Sequence, residues 1–196
     1  MTPEMDFVCE RIMRESRVLD LACGSGELLG VLRENYDIHG YGLEIDPVCI
    51  QECIENGINV IEQDLDSGLG NFFDNSFDCV VMTQAMQAMR YPHLVLEEML
   101  RIGRECIITF PNFGHWKVRF YLAANGRMPV TKELAYQWYD TPNIHFFTLT
   151  DFEHYCEKKS IKILSRQFFS HSFPDKFIKK IWPNMFAATA LFQLTR

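Results

Sequence analysis

Short apolar runs alternate with amphipathic stretches over the first 112 residues of the chain. The spacing predicts an opening helix over 5–15 and a continuous apolar strand at "RVLDLA", 17–22. "GELLGVLREN", 26–35, carries Leu28, Leu29 and Leu32 at helical spacing, and "IHGYGLE", 38–44, reads as a second strand. Asp46 and Pro47 supply an N-cap and a first-turn proline for the helix "VCIQECIEN", which Gly57 ends. "INVIEQD", 58–64, and "FDCVVMT", 77–83, give a third and a fourth strand. After Pro92, "HLVLEEMLRIG" is an amphipathic helix closed by Gly103, and "ECIITFPN", 105–112, is a fifth strand.

Strands separated by helices imply right-handed βαβ units on a parallel sheet, and near-continuous apolar strands imply helices on both of its faces. After residue 112 the rhythm breaks. An irregular, aromatic-rich segment runs to about 147, followed by a helix from Thr150 and Asp151 to Lys159. Two last strand candidates, 161–169 and 186–196, are expected to form an antiparallel, hairpin-like edge. No repeat and no linker rich in Pro, Gly or Ser divides the 196 residues, so one domain is expected. Its parts are a ligand-binding half (16–112), an aromatic lid or partner segment (113–149), and a final helix with edge strands (150–196).

The composition is that of a folded globular chain, 47% hydrophobic and 23% charged. A net charge of −7 argues against a general nucleic-acid binder, because phosphate contacts need a basic face. The small basic cluster of Lys176, Lys179 and Lys180 reads as a solvated surface. No apolar run reaches the roughly 18–20 residues of a membrane span, and "MTPEMDFVCER" lacks the basic start and apolar centre of a signal peptide. The seven cysteines form no CxxC and no Cys/His zinc spacing. They are expected to be reduced, mostly buried thiols in a cytoplasmic protein without a metal. Cys49 and Cys53 share a helix face and read as packing rather than as ligands.

The candidate chemistry begins where the first strand meets Gly24 and Gly26. Open α/β sheets bind ligands at the carboxyl ends of their strands. Glycines there let the backbone approach a ligand, and the N–H groups opening the next helix favour polar or anionic groups. Glu44 ends the second strand, where an acid can accept ribose hydroxyl hydrogens. Asp64 ends the third, where an acid can accept from an adenine amino group. With Asp20, this puts an acid at the end of each of three successive strands. That is the outline of a nucleoside site with carboxylate to spare for a cationic or amino-acid moiety.

"VLDLACGSGELL", "GLEID", "EQDL" and "FDCVVMTQAMQAM" resemble the successive motifs of the class I S-adenosylmethionine-dependent methyltransferases. Members often carry glycine where this chain has Ala22, a mild departure. The resemblance implies a Rossmann-like three-layer α/β/α sandwich with about seven strands, mostly parallel, the last antiparallel. It implies S-adenosylmethionine or S-adenosylhomocysteine as cofactor. By position, Asp20 and the backbone of Ala22, Cys23, Gly24 and Gly26 would flank the methionine portion, and Glu44 would hold the ribose. Ile45 would line the adenine, Asp64 and Leu65 would read its edge, and Thr83 with Gln84 would close the site.

From about Arg17 onward the chain also resembles the MetW family of methionine biosynthesis, above all in "FPNFGHW", "GRMPVT" and "WYDTPNIHFFT". That resemblance implies a link to homoserine O-acyltransferase as partner, and brings no settled methyl acceptor. The alternative is an active methyltransferase on a small molecule. Methyl transfer from a sulfonium needs mainly in-line positioning, with a base only where the acceptor must lose a proton. His115, Tyr139 and His145 are the candidates, each more simply read as structural. Asn112 follows a proline at a strand end, but the Asn-Pro-Pro-Tyr signature of amino-group methyltransferases is absent. Trp116, Arg119, Tyr121, Arg127, Met128, Trp138 and Tyr139 instead supply the residue types of an interface centre. The cofactor would then act as a sensor coupled to a partner's activity.

Overall fold

The strands β1 (Arg17–Leu21), β2 (His39–Glu44), β3 (Val60–Glu62), β4 (Phe77–Thr83), β5 (Gly103–Pro111), β6 (Lys162–Phe169) and β7 (Thr189–Thr195) form one sheet. Their order is β3-β2-β1-β4-β5-β7-β6. The computed structural model describes residues 2–131, 134–170 and 175–196, without the side chain of Lys176. Lys132 and Glu133 of the aromatic segment, residues 171–174 of the closing part, and the Lys176 side chain of the basic cluster lie outside the described residues.

β1 to β5 pair in parallel, and β7 runs antiparallel to both β5 and β6. The expected antiparallel edge is therefore present, with β7 inside it and β6 outermost. Strand order reverses at β1, which pairs with β2 on one side and β4 on the other, so the crevice for a ligand opens at its carboxyl end.

The helices are α1 (Pro3–Cys9), α2 (Glu27–Tyr36), α3 (Pro47–Glu55), α4 (Pro92–Ile102), α5 (Trp116–Asn125), α6 (Leu149–Lys158), α7 (Asp175–Ile178) and α8 (Pro183–Phe186). Side chains alternate across a strand, and β1 shows the result. Val18 packs in one core with Leu28, Leu29 and Leu32 of α2, while Leu19 and Leu21 enter another with Leu96 of α4 and Phe152 of α6. This is the three-layer sandwich expected from the sequence. Phe110 of β5 anchors the closing elements, with ring centroids 4.7 Å from Phe147, 4.9 Å from Phe152 and 5.7 Å from Phe192.

Several boundaries differ from the sequence expectations for local reasons. α1 starts early because Thr2 caps it, accepting from the Met5 N–H ahead of Pro3, and it ends at Cys9 rather than 15. β3 is three residues long because Asp64 already caps a 3-10 turn, Leu65–Ser67. α6 begins at Leu149, set by a capping box between Thr148 and Asp151. α5 lies in the segment expected to be irregular, and α8 takes the first residue of the last expected strand.

All seven cysteines are free thiols. Among the described residues no helix is long and apolar enough to cross a membrane. Nor does any group of three or more His, Cys, Asp or Glu among them gather as metal ligands do.

Candidate functional site

The loop after β1 makes three left-handed excursions in five residues, at Ala22 (φ 55°), Gly24 (φ 55°) and Gly26 (φ 77°). A Cβ on Gly24 would meet nothing within 4 Å, so this point of the loop borders open space. One on Gly26 would lie 3.0 Å from Ile58 and 3.1 Å from the Cys53 sulfur, so here the backbone itself packs against the end of α3. The Cys53 thiol donates to the Gly24 carbonyl at 3.1 Å and lies 3.9 Å from the Cys23 sulfur. Burial pushes both thiols up, so they support the loop as neutral groups.

Glu44 braces the loop from the other side. Its Oε2 accepts from Gly24 N at 2.8 Å, and its Oε1 accepts from Ile45 N at 2.8 Å and Asp46 N at 3.0 Å. A carboxylate offers about four lone-pair positions, so one on Oε2 is not taken by these backbone donors.

Asp20 lies beneath the loop at 1% exposure, and its Oδ1 has no hydrogen-bond partner. Burial first, and then the nearby Glu44 charge, push its carboxyl up to about 8. At neutral pH it is therefore mostly protonated, and it does not face the open cleft.

Ile45 is 58% exposed at the end of β2, an apolar side chain standing clear of the core. Asp64 is exposed; its Oδ1 accepts from Asp66 N at 2.9 Å, while Oδ2 has a 3.4 Å contact from the Ser67 hydroxyl. Leu65 is buried behind it. Thr83 is half-buried, and Gln84 is exposed with φ 53°, its N–H shared between the carbonyl and hydroxyl of Thr109. Asp20, residues 22–26, Glu44, Ile45, Asp64, Leu65, Thr83 and Gln84 thus all sit at the carboxyl ends of β1 to β4 or in the loops after them.

The three catalytic candidates do not come together. His115 is buried as the N-cap of α5, with Nε2 3.1 Å from Asp175 Oδ2 and Nδ1 accepting from Lys117 N at 3.4 Å. The Trp116 indole donates to Asp175 Oδ1 at 2.9 Å, so one carboxylate ties α5 to α7. Tyr139 is 70% exposed, edge-on to Trp138. His145 alone reaches the rim of the crevice: its N–H and that of Ile144 both donate to the Gln87 carbonyl at 2.9 Å.

Two residues missed in the sequence shape that rim. Gln87 is buried, donates to the Gln84 carbonyl at 2.6 Å, and keeps its own Oε1 without a partner. Asp66 accepts from Arg90 N and Tyr91 N at 2.9 and 3.0 Å, fixing the entry to α4. A glutamine three residues after Gln84 was the available signal for the first; only the fold pairs Asp66 with residue 90.

The strand order and the crevice at its reversal are those of the S-adenosylmethionine-dependent methyltransferase fold. A methyltransferase of this type from Mesorhizobium loti aligns with a TM-score of 0.69 at 16% identity, over 99% of this chain and 96% of that one. One from Archaeoglobus fulgidus gives 0.63 at 16%, over 98% and 94%. The [4+2]-cyclase SpnF gives 0.69 at 16%, over 98% and 80%, so the same fold also carries a cyclase.

The family model described as "Methionine biosynthesis protein MetW" matches residues 2–194, and the chain belongs to that family. A curated relative, the bifunctional methionine biosynthesis protein MetXA/MetW of Rhodopirellula baltica, is 32% identical over 200 aligned residues. That alignment covers 97% of this chain, which spans about a third (32%) of the relative's length.

Proposed function

We propose that this MetW-family protein binds S-adenosylmethionine or S-adenosylhomocysteine at the carboxyl ends of β1 to β4 and acts with homoserine O-acyltransferase in methionine biosynthesis. The observation that carries the partnership is the Rhodopirellula baltica relative, which joins a MetW-like part to MetXA in one chain. Several features support the cofactor. Oε2 of Glu44 has one position left for a ribose hydroxyl, Ile45 offers exposed apolar surface to a base, and Asp64 is an exposed carboxylate that an amino hydrogen could reach. Asp20 Oδ1, buried under the loop without a hydrogen-bond partner, is a polar atom left open beneath the position of the methionine portion.

When bound, the cofactor would supply an electrophilic methyl on sulfur. This chain's own residues would hold the nucleoside and shape the loop around it. The decisive experiment mixes purified acyltransferase with and without this protein and measures its specific activity. A rise is expected, and it should respond to S-adenosylmethionine. Equal activity in both samples would remove the partnership.

A methyltransferase acting on a small acceptor is the second reading. It is favoured by a cleft of about 270 Å³ beside the turn after β4, lined by Met86, His93, His145, Phe147 and Tyr155. Transfer of a tritiated methyl group to a small molecule in lysate fractions would establish it, and absence of labelled product would remove it.

A further inference from the structure

The cleft of about 270 Å³ lies between the first turns of α4 and α6 and the stretch 145–147, and shares no residue with the cofactor site proposed above. Met86, Leu96 and Phe152 are buried residues of its wall, and Phe146, Phe147 and Tyr155 add three more aromatic rings. A cavity of roughly 150 Å³ accepts benzene, so this one has room for an aromatic ring with a short chain.

Polar groups in the cleft are few. Of the lining side chains only Asp151 is an acid, and none is Lys or Arg. Asp151 caps α6 through Oδ2, which accepts from the Thr148 N–H at 2.9 Å and the Thr148 hydroxyl at 2.8 Å. Its Oδ1 is left to accept from a ligand. His145 holds Nε2 3.4 Å from the Arg90 carbonyl, which can only accept, so the other nitrogen of the neutral ring is an acceptor too.

Both helices begin here, and a helix start favours anions. Yet α4 opens on Pro92, which has no N–H, and the Leu94 and Val95 N–H groups go to the Tyr91 carbonyl. The N–H groups of Asp151 and Phe152 go to Thr148. Lys159 lies 5.9 Å from the Tyr155 ring but is held by Glu97 at 3.0 Å. The carboxylate of Asp151 is therefore the fullest charge an occupant meets. Aromatic rings beside a carboxylate suit an organic ammonium ion, whose body the rings cover and whose charge both attract.

We propose that this cleft binds a small aralkyl amine as its ammonium ion, with the ring among Phe146, Phe147 and Tyr155 and the nitrogen at Asp151. This gives a ligand class to the cleft of the methyltransferase reading above, and rests on that reading for what is done with the amine, not for its binding.

The test is calorimetric titration of the full chain with 2-phenylethylamine, 2-phenylethanol and phenylacetate, which share a ring and differ in the charge at the other end. At about pH 8 an alkyl amine is still charged while an ordinary imidazole is neutral. The amine is expected to bind about tenfold or more tighter than the alcohol, and phenylacetate weakest of the three. Asp151→Asn keeps an oxygen for the Thr148 cap and removes the charge, so it should level the amine with the alcohol. Phe146→Ala should weaken both several-fold, because Phe146 is 43% exposed and its loss removes one wall without disturbing the core. Phe73→Ala, at an 85% exposed position outside the cleft, should bind as wild type does, and melting temperatures near wild type exclude unfolding as the cause. Phenylacetate binding as tightly as the amine, or Asp151→Asn binding the amine as wild type does, would overturn the proposal. So would no binding of any of the three at millimolar concentration, even if a labelled methyl group reached some other acceptor, which would keep the methyltransferase reading. Binding of the amine with no labelled product from S-adenosylmethionine would support the cleft and leave that reading without support.

Discussion

Gly24 donates its backbone N–H to Oε2 of Glu44 at 2.8 Å, across the gap between the loop after β1 and the end of β2. One carboxylate therefore both braces the loop and offers the remaining acceptor. Glu44→Ala strands the N–H groups of Gly24, Ile45 and Asp46. A stability loss of about 1–3 kcal/mol is expected in urea unfolding, because unmade bonds to partly buried donors are costly. Affinity for S-adenosylmethionine should fall about a hundredfold by calorimetry, as a charge-assisted bond is removed and the loop loosens. Unchanged affinity would end the ribose assignment for Glu44.

Asp20 makes stability depend on pH. Its carboxyl is raised to about 8 in the folded chain, by burial first and Glu44 second. In the unfolded chain it titrates near about 3.9. Between these values the folded chain holds a proton that the unfolded chain has lost. This group's contribution is therefore fully present below about pH 4 and is lost as pH rises towards 8, by at most about 1.4 kcal/mol per pH unit. Asp20→Asn should flatten that slope and exceed wild-type stability at the alkaline end, as measured by urea midpoints across the range.

Ala22 sits at φ 55°, a left-handed conformation that costs a residue with a Cβ about 1–2 kcal/mol. Ala22→Gly relieves that strain but loosens the unfolded chain, so a net gain of about 0.5–1 kcal/mol is expected. Ala22→Val, with a branched Cβ at the same φ, should instead destabilise. A valine variant as stable as the glycine variant would show that the loop relaxes freely.

His115 and Asp175 are expected to matter for stability and not for ligand affinity. Asp175→Ala leaves the His115 ring and the Trp116 indole without their shared acceptor. A loss of about 2–3 kcal/mol is expected in urea unfolding. S-adenosylmethionine affinity, measured where the variant is fully folded, should match wild type. An affinity loss without a stability loss would instead tie His115 to the ligand.

What the sequence made legible follows from what each element buries. β1 and β4 are near-continuous apolar runs buried along almost their whole length, β2 is buried over its last three residues, and the acids at the ends of β1 to β3 could be counted off directly. α5 escaped because periodicity detects a helix by its single buried stripe, and here Trp116, Phe120, Tyr121 and Leu122 spread apolar character around the helix. The limits of α1 and α6 were set by Thr2 and Thr148 caps, local bonds that outweigh the hydrophobic pattern. His115 looked chemical because it stands next to aromatics after a strand; its partner, Asp175, lies 60 residues away and only the fold brings them together. The use of Glu44 by three backbone donors was likewise invisible, since every residue type carries the same N–H.

β7 follows both β5 and β6 in sequence but sits between them in the sheet. During synthesis the ladder on that side has no partner until β7 appears. A nascent chain stopped before Thr189 would leave the long side of β5 bare and β6 without a strand to pair with, two open edges able to recruit other chains. Closure of the sheet therefore comes late and depends on contacts far apart in sequence, the condition that slows folding and exposes intermediates to aggregation. For this protein β7 acts as a keystone, set only after the strands on either side of it have been made.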